Sequence, residues 1–334
     1  MNPFVVLGGG LAGLSCATHL LRAGSACVVL ERDAHPGGKA SSERAGGFVF
    51  DRTGHWLHLR DPEVRSWICE VLGDAVIEVP RKARILSHGV FTRYPFQANT
   101  FGLPPDVIRD CLVGFVKAYE ESRQGTQPAP RDLGEAFQQW FGEGICRHFM
   151  IPYNEKLWGV PLSEITAAWC SRFVPRPSLD DVVGGAVGVH ANGLGYNPRF
   201  LYPAKGGIGA IADALATGIG PSLRLDAQVV EVRWRRGEVR LASGDVIGAR
   251  RIVSTLPLPS LIRRMSPPPP DDVLSAAGRL RATSVAYVDL GVRGTVNRGF
   301  HWVYAPEPAL PFYRVGSYSN AAPHLAPEGH GSLY

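Results

Sequence analysis

Residues 5–32, VVLGGGLAGLSCATHLLRAGSACVVLER, decide the fold. The run PFVVLG is apolar and β-branched, which predicts a strand buried on both faces. Gly8 permits a tight turn out of that strand, and Gly10 lets a backbone come close to a pyrophosphate. Gly13 lets the next helix, expected over 14–23, pack against the strand. The N–H groups at that helix start, around Leu11 and Ala12, together with the helix dipole, would face the anion. Gly24 ends the helix, ACVVLE predicts a second buried strand, and Glu31 follows Gly10 by 21 residues. That spacing reaches a ribose hydroxyl, and an acid there disfavours a 2′-phosphate. Strand, glycines, helix, strand and acid in this order predict a dinucleotide-binding α/β fold rather than a glycine-rich bend.

Length and composition set the frame. A chain of 334 residues has room for about two domains. Hydrophobic residues make up 45% and charged residues 19%, as in a soluble globular protein. The 35 basic and 30 acidic residues are scattered without a block of one sign, which argues against nucleic acid; a small-molecule substrate is the partner expected. The six cysteines (16, 27, 69, 111, 146, 170) form no CxxC, several lie in apolar helical patterns, and reduced thiols in the cytoplasm are expected. The N-terminus lacks a basic region before its glycine-broken apolar run, so neither signal peptide nor membrane span is expected. No Ser-His-Asp, Cys-His or HExxH arrangement and no metal-ligand cluster is present in the sequence, so no metal is expected.

A second glycine pair selects the dinucleotide. The run ERDAHPGGKASSERAGGFVFDRTGHWL (31–57) resembles the glutathione-reductase-type FAD fold. The branch it resembles holds amine oxidases, protoporphyrinogen oxidase, phytoene desaturase and UDP-galactopyranose mutase. The resemblance implies FAD as cofactor, with Gly37, Gly38 and Lys39 at its pyrophosphate and Arg32 beside the ribose acid. It places Gly54, His55 and Trp56 along the flavin ring, where backbone N–H groups polarise the isoalloxazine. The stretch 223–259 reads as alternating strands with turns at Arg236-Gly237 and Ser243-Gly244. By the same resemblance Val229 meets the adenine, Thr255 lies in the STLP return from the FAD domain, and 202–216 is the glycine-pair-then-helix element.

The implied architecture is an α/β, Rossmann-like FAD-binding domain (1–85 plus 200–262) with an inserted α+β substrate domain (86–199 plus 263–334). Within it, 61–73 reads as an amphipathic helix presenting Val64, Trp67, Ile68, Val71 and Leu72 on one face. Helices are expected over 104–124, 131–149 and 271–280, the last after the stiff Ser266–Pro270 linker, and TSVAYVDLGV, FHWVYA and FYRVGSYS read as strands. The segment FMIPYNEKLWGVPLSEITAAWCSRFVPRP (149–177) resembles the mutase stretch that carries an active-site arginine. This implies substrate-binding roles for Trp158 and Arg172 and, with His55 nearest the flavin, catalytic roles for His55 and Arg172. Trp158 and Trp169 equally suit a core, Arg172 a surface and His55 a structural loop. The glycine-acid or glycine-arginine segment that closes the FAD site in this superfamily is not found before the chain reaches GHGSLY. The leading expectation is an FAD-dependent oxidoreductase passing hydride to flavin N5. A mutase-like nucleotide-sugar isomerase and an inactive flavoprotein-like scaffold are the alternatives.

Overall fold

The structure, a computed structural model, describes residues 2–73, 75–125, 127–189, 198–296 and 299–334; the side chains of Ser171 and Arg172 lie outside the description. It divides into two compact units: Met1–Glu78, Leu201–Ala286 and His324–Pro327, and Val79–Phe200, Tyr287–Pro323 and Glu328–Tyr334.

The first unit is built around strand β1 (Phe4–Leu7), helix α1 (Leu11–Arg22) and strand β2 (Cys27–Leu30). Val5, Val6, Leu7 and Val29 are fully buried, as a parallel sheet covered on both faces requires. Four parallel strands lie in the order Arg251–Ser254, β1, β2, Leu223–Arg224. An antiparallel sheet of Val229–Arg233, Glu238–Leu241 and Val246–Gly248 follows, closed by turns at the two glycine positions read from the sequence. Its Val229, Val232, Val239 and Leu241 share one core with Val5, Leu7 and Leu30. In the helix Pro62–Val71 only Ile68 is buried. Val64, expected on the packed face, is 42% exposed because the helix touches its unit along a narrower stripe.

The second unit holds the helices Pro105–Gln124, Leu133–Ile145, Ile151–Trp158 and Leu179–Ala186 around an aromatic-rich core that includes Phe96, Phe115, Phe137 and Phe141. The helix expected over 131–149 is interrupted. Gly142 takes φ 72°, and a Cβ there would lie 2.0 Å from Gly114 O, so the two helices cross at backbone contact. A π-turn, Cys146–Met150, then leads into Ile151–Trp158. Beside the helices lies a four-stranded sheet in the order Arg314–Gly316, Trp302–Tyr304, Ala83–Ser87, Val90–Arg93.

The first three divisions fall at 78/79, 200/201 and 286/287, where the sequence predicts 85/86, 199/200 and 262/263, and two more, at 323/324 and 327/328, return a short segment to the first unit. Ladder pairing accounts for the first shift: Ala83–Ser87 joins the second unit's sheet through Val90–Arg93 and Trp302–Tyr304. The third reflects Arg264, whose Nε donates to Val229 O at 2.9 Å and ties this stretch to the first unit. Of TSVAYVDLGV only the end is a strand, Leu290–Arg293, which pairs with His330–Leu333. Residues 281–289 join no ladder, and Val285 and Val288 are 47% and 68% exposed, since no described strand flanks them.

Candidate functional site

In the first unit the chain leaves β1 through Gly8, held at φ 102°. A Cβ on Gly13 would lie 1.9 Å from Gly8 O, so the third glycine serves the packing of α1 on β1 and is not itself on a cavity wall. Gly10 differs. It precedes α1, no side chain caps the helix, and a Cβ there would find nothing nearer than Gly37 O at 3.9 Å. The first-turn N–H groups of an uncapped helix have no intrahelical partner. The second glycine pair folds onto the first: Gly37 N donates to Gly9 O at 2.8 Å, and Gly37 and Gly38 have φ 108° and 56°.

These loops line a cavity of about 720 Å³. Gly8, Gly10, Leu11, Ala12, Glu31, Arg32, Gly37, Gly38, Lys39, His55, Val229 and Thr255 all line it, so twelve residues scattered over the sequence converge. Glu31, 7% exposed, accepts from Gly9 N at 2.6 Å through one oxygen and from Asp33 N at 2.9 Å through the other. Each oxygen keeps a second lone pair for a further donor. Thr255 Oγ1 donates to Leu7 O at 2.8 Å and locks the return strand to β1. Lys39 has no ion pair among the described residues. Gly54 and Trp56 are not among the lining residues. The Trp56 ring is buried against Tyr202 at 5.0 Å. His55 lies near Thr53, its Nδ1 3.3 Å from Thr53 O, and Thr53 itself has φ 65°.

Several lining residues escaped the sequence reading. Arg264 Nη1 is fixed by Ser260 O and Oγ at 2.8 and 2.6 Å, and Arg52 and Gln228 also reach the wall. The four-residue Ser260–Arg264 spacing after STLPLP was the available signal. Below the wall Asp51 is 1% exposed and accepts from Ser42 Oγ at 2.6 Å, Ile208 N at 2.9 Å and the Tyr202 hydroxyl. Burial pushes its carboxyl above the ordinary value, against the pull of those donors. A Cβ at Gly207 would lie 2.3 Å from Asp51 Oδ1, which explains the glycine pair in YPAKGGIGA.

In the second unit Trp158 packs against the core, its ring 5.2 Å from Trp169 and its indole N–H without a partner among the described residues. Arg172 closes the short helix Ala167–Arg172, and its side chain lies outside the described residues. The helix of Trp158 also carries Tyr153, whose ring meets those of Tyr304 at 5.2 Å and Tyr313 at 6.2 Å. Lys156 ties this helix to the loop before Tyr313 by donating to Ala305 O at 3.0 Å, Phe312 O at 3.1 Å and Glu307 O. Arg314 stands among these phenols, its Cζ 6.0 Å from the Tyr313 ring and 5.2 Å from that of Tyr334. Its guanidinium makes no hydrogen bond or ion pair among the described residues. The sequence reading did not single it out; the signal was a lone arginine between aromatic strand residues.

The glycine loops, the uncapped helix start and the buried acid of the first unit thus converge on one cavity. The chain belongs to the flavin-containing amine oxidoreductase family, whose model matches residues 11–334. Its members are FAD-dependent, and FAD is therefore the cofactor of this chain. The structure is similar to that of a reduced UDP-galactopyranose mutase, with TM-score 0.88 and 27% identity over 100% of this chain and 73% of the other. It shares its fold with putrescine oxidase, TM-score 0.63 at 18% identity over 100% of this chain and 75% of the other. A phytoene desaturase (lycopene-forming) from Pseudescherichia vulneris is 27% identical over 76% of this chain and 55% of its own length. The chain thus spans about half the length of that curated relative. No helix among the described residues is long and apolar enough to cross a membrane. No group of three or more His, Cys, Asp and Glu among them could hold a metal ion.

Proposed function

We propose that this chain binds FAD in the first-unit cavity and acts, as a flavoenzyme, on a substrate carrying a phosphate or diphosphate, of the nucleotide-sugar class. The residues fit the cofactor: Gly10 leaves the space that a side chain would fill, the start of α1 is uncapped, and Glu31 keeps lone pairs toward the cavity. Gly10, Leu11, Ala12, Gly37, Gly38 and Lys39 would hold the pyrophosphate, Glu31 the ribose, Val229 the adenine side and His55 the flavin side. When bound, FAD supplies hydride acceptance at N5 or, in its reduced form, a nucleophilic nitrogen. Arg52 and Arg264 add positive charge to the same wall.

The single observation that carries the substrate class is Arg314. A guanidinium set among phenols without a carboxylate is a cation whose counter-charge must come from a ligand. The 27% identity with a UDP-galactopyranose mutase supports the same class. The likeness of 149–177 to the mutase stretch makes Trp158 and Arg172 further candidates for the nucleotide end of such a substrate. The test is a calorimetric titration with UDP of wild type, Arg314→Lys and Arg314→Ala. Loss of the guanidinium should cost about 2–5 kcal/mol of binding. Lysine should restore only part of it, since a point charge does not reproduce the bidentate fork. Equal binding in all three overturns the reading.

A second reading, hydride transfer from an uncharged substrate, is favoured by the similarity to phytoene desaturase. The two separate on flavin redox balance. Turnover that needs reduced flavin and consumes no reductant belongs to the first; net bleaching of flavin by substrate without oxygen belongs to the second.

A further inference from the structure

The second unit contains another cavity, of about 310 Å³, where the ends of separate strands meet a short turn. His301 enters it just before strand Trp302–Tyr304, Lys82 just before Ala83–Ser87, Ser319 and Asn320 from the turn Tyr318–Ala321, and His330 at the start of His330–Leu333. No carboxylate is among its described lining residues.

The histidine is oriented by its surroundings. His301 N donates to Lys82 O at 2.7 Å, and Lys82 N donates to His301 Nδ1 at 3.3 Å. With Nδ1 accepting, the ring proton sits on Nε2. The Phe200 ring stands edge-on to the imidazole at 5.5 Å and holds its plane. His301 is 5% exposed, and burial together with the Lys82 charge holds it down to about 4, so it is neutral near pH 7. Its Nε2–H makes no hydrogen bond among the described residues, and Lys82 Nζ has neither ion pair nor hydrogen bond there. His330, its Nδ1 2.9 Å from Glu328 O, stands at the rim of the same cavity.

A cation without a counter-ion, beside a fixed imidazole N–H and with no carboxylate among the described lining residues, is the chemistry that takes up a small oxyanion. We infer that the cavity bounded by Lys82, His301, Ser319, Asn320 and His330 is a binding site for a phosphate group, either inorganic phosphate or a small phosphate monoester. Lys82 supplies the charge and His301 Nε2–H a directed donor. Ser319 Oγ, which accepts from Ser332 N at 3.0 Å and shares a hydrogen bond with Ser317 Oγ at 3.2 Å, adds a polar hydroxyl to the wall. The volume admits phosphate with a substituent of a few atoms and excludes a dinucleotide. This site owes nothing to the flavin reading and stands in the second unit alone.

The test uses the full chain with 13C-labelled histidine, titrated with inorganic phosphate and followed by NMR. Binding should shift the His301 ring resonances, identified by their loss in His301→Gln. Because a bound anion favours the imidazolium, it should also raise the pH at which that ring titrates. Lys82→Met, at an exposed side chain whose loss leaves the fold alone, should weaken phosphate binding at least about tenfold. A phosphate monoester such as glycerol phosphate should compete at the same resonances. Absence of any His301 shift at saturating phosphate overturns the inference. So does equal affinity in wild type and Lys82→Met, or acetate binding as tightly as phosphate.

Discussion

Glu31 shows how one side chain carries two tasks. Its carboxylate accepts from Gly9 N and Asp33 N, so it closes the turn after β1 onto the end of β2 before any cofactor arrives. Glu31→Ala should therefore lower stability in flavin-free protein by about 1–3 kcal/mol, the cost of stranding buried N–H donors. Glu31→Gln keeps one acceptor oxygen and should recover part of that. Urea unfolding of both variants without FAD checks the expectation, and FAD titration then measures the ribose contribution separately. The acid was legible in the sequence from its spacing. Its bonds to Gly9 and Asp33 were not, because they depend on how two loops meet in space. Asp51 was illegible for a like reason: its donors Ser42, Tyr202 and Ile208 come from distant parts of the chain.

At the scale of elements, the glycines of the first turn separate by what a methyl group would strike. Gly13→Ala would place Cβ 1.9 Å from Gly8 O and force α1 away from β1. A loss of about 1–3 kcal/mol or more is expected, seen as a lowered Tm without cofactor. Gly10→Ala meets nothing nearer than 3.9 Å, so the fold should keep its Tm while FAD binding is lost as the methyl fills the cavity floor. If Gly10→Ala still binds FAD at wild-type affinity, the cofactor does not lie against this turn. The β1–α1–β2 unit was legible because period, glycines and acid agree in one short stretch. The 131–149 helix was misread as continuous because the contact that bends it, Gly142 against Gly114, joins residues nearly thirty positions apart in sequence. The strand expected in TSVAYVDLGV failed on the same ground: alternation says what a segment can pair with, while pairing itself needs a neighbour.

Across the whole molecule two buried titratable groups, one in each unit, are shifted in opposite directions. His301, in the second unit, has its folded value lowered from 6.5 to about 4. Its neutral form contributes stability that is complete above pH 6.5 and is lost as pH falls toward 4, about 3 kcal/mol in all. Asp51, in the first unit, is raised above 3.8, so its contribution is complete below pH 3.8 and declines as pH rises through its folded value. Mild acid should consequently loosen the second unit while sparing the first. Hydrogen exchange followed by mass spectrometry at successive pH values should show faster exchange in Trp302–Tyr304 before β1 and β2. His301→Gln should flatten that pH dependence; an unchanged slope in this variant would remove His301 as its source.

Residues 281–289 form an apolar ribbon that joins no ladder among the described residues, and Val285, Tyr287 and Val288 within it are all more than 40% exposed. To another protein molecule such an exposed apolar ribbon is a surface to pack on and a segment to pair with. The practical outcome is a ceiling on how concentrated this chain can be made. Light scattering should rise steeply with concentration and persist at high salt, because the attraction is one of apolar surface and strand pairing rather than of charge.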